Sequence, residues 1–272
     1  MEVQAAQTNV SEVRKIFMVI ENSNYLNRLE SNQYSIFTQK FHHSVSKTLR
    51  HFEGVVINHD NNSYLVSFNS ASNAVLCALQ IEQKFKYVTP KFDAGNRRLK
   101  IGLSAGFAIE EEAGNFDEAI IQATQMCEVV KDTLVISPIV KDLYEKENRN
   151  ARIDGHHFRT LKQGEIVFLN RLMRASQLIW NEGNLSLEHL RSALGCSRSS
   201  FYRRIKKLTG KSPHYFIREF RLHRALNLLH KRRGNISKVA FETGFKNASH
   251  FARCFSEKFG MLPSKYAQHY TV

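Results

Sequence analysis

The chain has 272 residues, 42% of them hydrophobic, with 39 Lys and Arg against 25 Asp and Glu and a formal net charge of +14. That length buries two ordinary cores, and no apolar run approaches the about 20 residues of a membrane span. Cys77, Cys127, Cys196 and Cys254 are scattered without a C-x-x-C pair, which predicts reduced, half-buried thiols in a cytoplasmic protein, and the opening Met-Glu-Val-Gln-Ala-Ala-Gln lacks the basic-then-apolar layout of a signal peptide.

In chain order, Lys15 to Ile20 reads as an apolar strand and Tyr25 to Phe52 as one long amphipathic helix. Gly54 to His59 and Ser63 to Phe68 read as two strands of a hairpin through Asp60-Asn61-Asn62, strong turn chemistry. Ser70 to Tyr87 reads as a helix, Leu99 to Ile109 as a strand, Phe116 to Lys131 as a helix and Leu134 to Ser137 as a strand. Pro138 to Glu145 starts a short helix, and Phe158–Leu161 with Glu165–Leu169 reads as a closing hairpin around Gln163-Gly164. Helices alternating with strands predict an α+β sandwich over residues 1–169. Adjacent His42-His43 on a helix point to different sides and do not converge as ligands. His156-His157 falls in a loop, and Glu110-Glu111-Glu112 reads as a solvated turn. No phosphate-binding loop, dinucleotide fingerprint or nucleophile elbow is present.

Several residues in this order are similar to the class III nucleotide cyclase homology domain. They are Phe17 with Asn22-Ser23, Gly54 with Leu65-x-x-Phe68, Ala74-x-x-x-Ala78-Leu79-x-Ile81, Ile101-Gly102-Leu103-x-x-Gly106, Ala123 with Met126, and Ser137. The resemblance implies a ferredoxin-like, cyclase-like sandwich that pairs as a head-to-tail homodimer. It also shows departures. The two metal-holding aspartates of the family fall at Val19 and Asn62, its Asn and Arg on the third core helix at Ile121 and Gln125, and its strand lysine at Asn58. Neither Val19 nor Asn62 supplies the anionic oxygen that magnesium prefers. The expectation is therefore a catalytically dead domain without cofactor or metal, which senses a small effector, dimerises, or does both. The alternative is an active or diverged cyclase fused to a second domain.

The charge is uneven. Residues 168–272 hold 20 Lys and Arg against five Asp and Glu, a net of +15, which leaves 19 against 20 and a net of −1 for the first 167. A basic module beside a near-neutral one points to nucleic acid as a partner. The same third carries a repeat at an interval of 50: Phe201 recurs as Phe251, Arg203 as Arg253, Ile205 as Phe255, Gly210 as Gly260, Pro213 as Pro263 and Phe216 as Tyr266. Each copy reads as a short helix, a Gly-containing turn, a second helix with arginine on its outer face, then Gly-x-x-Pro, the grammar of a helix-turn-helix.

In detail, Asn170 to Asn181 reads as a helix carrying Leu172, Leu178, Ile179 and Trp180 inward. Ser186 caps a helix through Leu194, and Gly195-Cys196-Ser197 makes the turn. Ser197 to Thr209 follows, with Phe201, Ile205 and Leu208 on its apolar stripe and Arg198, Ser199, Tyr202, Arg203 and Lys206 opposite. A long helix from Pro213 to about residue 231 joins the units. Ser237 is expected to cap the next helix, Gly244-Phe245 to turn, and Asn247 or Ser249 to begin the second reading helix. Phe251, Phe255 and Phe259 recur every four residues as its core stripe, while Asn247, Ser249, His250 and Arg253 face away.

Residues 185–268 resemble the DNA-binding domain of AraC/XylS-type bacterial transcription regulators. The matching residues include Leu187 and Leu190, Ser197, Arg203, Gly210-Lys211-Ser212-Pro213, Arg221-Leu222, Ala225, Leu228-Leu229, Ile236, Val239-Ala240 and Gly244-Phe245. Ser249-x-Phe251-x-Arg253-x-Phe255 followed by Gly260-x-x-Pro263-x-x-Tyr266 completes the set. The resemblance implies an all-α, seven-helix domain over residues 170–272. Its two reading helices would enter successive major grooves, roughly 34 Å apart on one face of the DNA. It implies base readout by Ser199, Tyr202 and Arg203, then by Ser249, His250 and Arg253; Arg203 and Arg253 also fit phosphate clamps or internal salt bridges. The expected partners are double-stranded DNA, a small-molecule effector, a second copy of the chain and, for an activator, RNA polymerase, with no membrane. The residues themselves do not choose between activation and repression. A non-specific DNA binder is the third reading, its sign a large salt slope with a specificity ratio near one.

Overall fold

Alternation along the first strand decides the front half. Ile16, Met18 and Ile20 are buried on one side of β1 (Glu12–Asn22), and Phe17 and Val19 lie on the other. The computed structural model describes residues 12–22, 31–60, 62–88, 99–109, 116–148, 157–181, 186–230 and 234–269. β1 is central because it pairs antiparallel on both edges, with β3 (Ser63–Phe68) and β4 (Leu99–Ile109). With β2 (Val55–His59), β5 (Leu134–Ile136) and β6 (Arg159–Thr160) the sheet order is β2-β3-β1-β4-β5-β6. Helices α1 (Ser31–His51) and α2 (Ala71–Val88) sit between strands so that β1-α1-β2-β3-α2-β4 forms the expected ferredoxin-like unit. β5 and β6 extend it in parallel, after α3 (Asp117–Val129) and α4 (Pro138–Glu147) respectively.

One face of the sheet packs on α1, α2 and α4 through Phe37, Phe41, Phe68, Ile81 and Val140. The other face carries α3 over Phe17, with Ala119 and Ala123 in the contact. Between β2 and β3 the Asp60 carboxylate accepts from the Asn62 and Ser63 amides, both at 2.7 Å, closing the hairpin as its sequence predicts. Asn61 lies outside the described residues, as do the predicted start of α1 before Ser31, Glu110–Glu112 and His156.

The predicted hairpin at 158–169 is corrected. Only Arg159–Thr160 forms a strand, and residues from Gln163 onward are helical in α5 (Gln163–Asn181). Glu165 turns back to accept from the Lys162 amide at 3.1 Å, satisfying a first-turn donor, and Ile166, Leu169 and Leu172 fall on one buried stripe. Leu178, expected inward, is 54% exposed, because the stripe continues through Ala175, Ser176 and Ile179. The boundary expected after Leu169 thus lies within a helix. The thiols are also more deeply placed than expected: Cys77, Cys127 and Cys254 are buried and Cys196 alone is half-buried. Burial pushes Cys77 up to about 12, so it is inert as a thiolate.

Helices α6 (Leu187–Ala193), α7 (Arg198–Thr209), α8 (Pro213–His230), α9 (Ile236–Glu242), α10 (Ala248–Phe259) and α11 (Pro263–His269) complete, with α5, the seven expected. Leu222, Val239, Phe251 and Phe255 close a core of their own around α8–α10. Phe201, Ile205 and Leu208 of α7 instead share one core with Met126, Val130 and Val135 of the front domain, through Ile166 and Leu169 of α5. Polar contacts reinforce that joint. The Lys131 amide donates to the Leu208 carbonyl at 3.1 Å. Arg159 bridges Asp132 at 2.6 Å and Glu165 at 3.0 Å, and Lys207 of α7 reaches Glu165 at 3.2 Å. The Arg204 guanidinium lies 4.1 Å over the Phe168 ring.

Glu165 is the hub of this joint. Burial raises its carboxyl, but the Lys162 amide, Lys207 and Arg159 together hold it below the ordinary 4.5. A carboxyl with a depressed folded pKa contributes stability that is present above its unfolded pKa and lost as pH falls through the folded one. Glu165→Ala is expected to cost about 1–3 kcal/mol. Chemical unfolding at pH 7 measures this, and the difference from wild type should shrink below the ordinary carboxyl pKa.

Candidate nucleic-acid interface

The 50-residue repeat survives folding as two nearly superposable chains of events. α7 and α10 are each 12 residues long and begin 50 positions apart. Ser197 caps the first, its hydroxyl accepting from the Ser200 amide, and Asn247 caps the second, its Oδ1 accepting from Ser249 at 2.8 Å and His250 at 3.1 Å. Both helices end on a left-handed glycine, Gly210 at φ 73° and Gly260 at φ 78°. The turns before them also pass through left-handed glycines, Gly195 and Gly244. The cap of α9 is Asn235, whose Oδ1 accepts from the Lys238 amide at 2.8 Å. Ser237, expected in that role, lies inside the helix, because Asn caps as well as Ser and here stands two residues earlier.

Each reading helix has one face spent on the core. Phe201, Ile205 and Leu208 are buried in α7, and Phe251, Phe255 and Phe259 in α10. The α10 rings follow one another at 5.6 and 4.5 Å, so this stripe is packing and not a platform for bases.

The opposite faces are open. Arg198, Ser199, Arg203 and Lys206 are exposed on α7, and Asn247, Ser249, His250 and Arg253 on or beside α10. Tyr202 is half-buried, its ring edge-on to Phe201 at 6.2 Å and His214 at 6.4 Å, which leaves it at the rim of the face. Asn247 commits its oxygen to the cap, and His250 Nε2 sits 3.3 Å from Cys254 Sγ. Arg198 feels Glu188 electrostatically. Among the described residues no ion pair or hydrogen bond engages Arg203 or Arg253. Among the described residues neither arginine takes the internal salt-bridge role, which leaves both guanidinium forks open on these faces.

Other residues, not singled out in the sequence, support the interface from behind. Arg221 donates to the Gly244 carbonyl at 2.9 Å and so fixes the second turn. Glu219 joins Lys211, at the end of the first unit, to Lys258 of α10 at 2.6 Å. Arg221 carried a signal only as part of the family match, and Glu219 carried none, since one partner comes from the turn before α8 and the other from α10.

In the front domain, Val19 is half-buried on the α3 side of β1 and paired with Leu65. Asn58 also pairs with Leu65, on an exposed edge. Ile121 is exposed and Gln125 half-buried on α3. Among the described residues no three His, Cys, Asp or Glu side chains are grouped to hold a metal ion. His42 does not converge with His43; its Nδ1 lies 2.5 Å from the Tyr64 hydroxyl and its ring 5.8 Å from His59. Burial, then the neighbouring His59, lowers the His42 pKa. No described helix is long and apolar enough to cross a membrane.

A family described as "Helix-turn-helix domain" matches residues 190–269. The chain is 41% identical over 78 residues to histidine kinase P4 of Formosa agariphila, covering 29% of this chain and 6% of the kinase. It spans less than half the length of the other curated helix-turn-helix regulators it matches. A crystal structure of a probable AraC family transcriptional regulator from Rhodopseudomonas palustris is similar at 27% identity and a TM-score of 0.33, over 38% of this chain and 99% of that one. The structure of a bacterial light-regulated adenylyl cyclase is similar at 16% identity and a TM-score of 0.40, over 49% of this chain and 45% of that one. The tandem geometry, the motifs and the family match agree: the C-terminal third is a helix-turn-helix DNA-binding domain of the AraC type.

Proposed function

We propose that the chain is a sequence-specific transcriptional regulator that acts in the cytoplasm, with a front domain that binds an effector, pairs with a second copy, or both. The observation that carries this is the pair of exposed reading faces with Arg203 and Arg253 unengaged, one on each half of a tandem repeat. Two such faces read two successive groove segments, which gives a specificity that one basic helix does not reach. RNA polymerase is the further partner this reading brings if the protein activates.

Catalysis is not part of the proposal. Val19, Asn62, Ile121, Gln125 and Asn58 stand where a cyclase needs carboxylates, an amide, a guanidinium and an amine. Nothing in that set neutralises phosphate charge or holds a divalent cation. Cyclic nucleotide formed by the pure chain with magnesium or manganese would reverse this.

The deciding experiment is selection of a preferred duplex from random DNA, followed by competition binding at fixed salt. The expected specific site binds at least about 10³-fold tighter than random duplex. A ratio near one, with a steep salt slope, would leave only non-specific binding.

A further inference from the structure

Between the front domain and the back of α8 lies a solvent-open cleft of about 1310 Å³. Lys100, Gln125 and Lys131 line it from the front domain, Met173 and Arg174 from α5, and Arg218, Phe220 and Arg224 from α8. Seven Lys and Arg line the cleft against four Glu. One of the four, Glu219, is already shared by Lys211 and Lys258. Glu128 faces Arg224, but burial, then nearby Glu21, pushes its carboxyl up to about 7, although water reaches it from one side.

Of the cations that remain, Lys100 donates to the Val130 and Asp132 carbonyls. Arg174, Arg218 and Arg224 make no ion pair or hydrogen bond among the described residues. Two lie over aromatic rings, Arg218 at 4.5 Å over Tyr215 and Arg224 at 5.3 Å over Phe220, contacts that do not use their N–H donors. His223, on the same wall, is lowered by burial first and then by Lys258 and Lys211, with Glu219 opposing, although its side chain is open to solvent on one side. Lys100 is lowered to about 8 by burial, with Lys211 adding to it and Cys127, Asp132 and Glu21 opposing. The Gln125 Oε1 is buried on this wall without a hydrogen-bond partner among the described residues. Leu99, Met173 and Phe216 add apolar surface.

We propose that this cleft binds a phosphate-bearing organic anion. Guanidinium forks with free edges match phosphate oxygens, the apolar wall with Phe220 suits a carbon skeleton or ring, and Gln125 accepts from a donor on it. Such a ligand touches the front domain and α8 together, so its binding sets how the second helix-turn-helix unit sits against the first, which is fixed to the front domain. This deepens the effector half of the proposed function and rests on it.

The test is calorimetric titration of the full chain at constant ionic strength, with inorganic pyrophosphate and ATP as probes. Saturable binding of both, tighter for ATP, is expected. Arg174→Ala with Arg224→Ala is expected to weaken it about tenfold or more, and Arg203→Ala with Arg253→Ala less than about twofold. The wild-type chain saturated with DNA should still bind either probe, a measurement that needs no variant to fold. Absence of saturable heat, loss of binding through the reading-face pair, or displacement by DNA would each overturn the cleft assignment. A preferred DNA site with no probe binding sinks this inference and leaves the regulator standing; probe binding without a preferred site does the reverse.

Discussion

Arg253→Ala is expected to weaken binding to the preferred duplex by about 1–3 kcal/mol, roughly 5- to 150-fold, with no change in thermal unfolding. The side chain is exposed and engages no described partner, so its removal leaves no buried charge orphaned and no packing lost. Arg203→Ala should behave alike, since it holds the equivalent position on α7. The two faces belong to different units, so the double variant should be close to additive. Competition binding against specific and random duplexes checks this and separates the two roles of an arginine. A base contact loses affinity for the specific site alone. A phosphate clamp loses affinity for both and lowers the salt slope by about one. An unchanged specific affinity for both variants would remove the reading faces from the interface.

Gly102→Ala should be the most damaging small substitution in the front domain. A Cβ there would lie 2.3 Å from the Ala123 carbonyl oxygen and 2.9 Å from the Cys127 amide nitrogen. Both are backbone atoms of α3 and cannot rotate aside, so α3 must lift off β4. Overpacking of this kind costs about 1–3 kcal/mol, which for a chain of this size lowers the unfolding midpoint by about 2–4 °C for each kcal/mol. The displacement would not stay local, because Met126 and Val130 of α3 share the α7 core and Lys131 donates to Leu208. DNA affinity should therefore fall with stability. Gly164→Ala is the control: it lies in the first turn of α5 with open space around its Cβ, and it should be neutral or stabilising by up to about 1 kcal/mol. Calorimetric scans of the two variants compare them directly; equal midpoints would mean that α3 does not sit as closely on β4 as described.

Which faces of α7 and α10 lie open was legible from residue order because a helix declares its sides at intervals of three and four, and Phe251, Phe255 and Phe259 leave little choice about which side Arg253 takes. The front topology was legible for a similar reason, with a period of two in β1 and a strong turn at Asp60. The segment 163–169 was misread because four consecutive apolar residues, Ile166 to Leu169, suit a strand or a buried helix equally. What decides it is the Glu165 carboxylate on the Lys162 amide and the burial of Ile166 with Leu172. The cap of α9 was misplaced because Asn235 and Ser237 are both good caps two residues apart. The joint between the halves was not legible at all. Arg159, Glu165, Lys207 and Lys131 are ordinary surface residues in one dimension, and they meet only when α7 docks.

Helix α5 begins against β6 and ends beside α6, so one continuous helix spans the two halves across the boundary expected after Leu169. Recombination is constrained accordingly. A graft of the reading half onto a foreign sensor, spliced after Leu169, would cut the helix and strip α7 of the surface formed by Met126, Val130 and Val135. A graft that travels intact must start before Gln163 and carry a substitute for that surface, whereas the second unit, with a core of its own, is free to be exchanged between hosts.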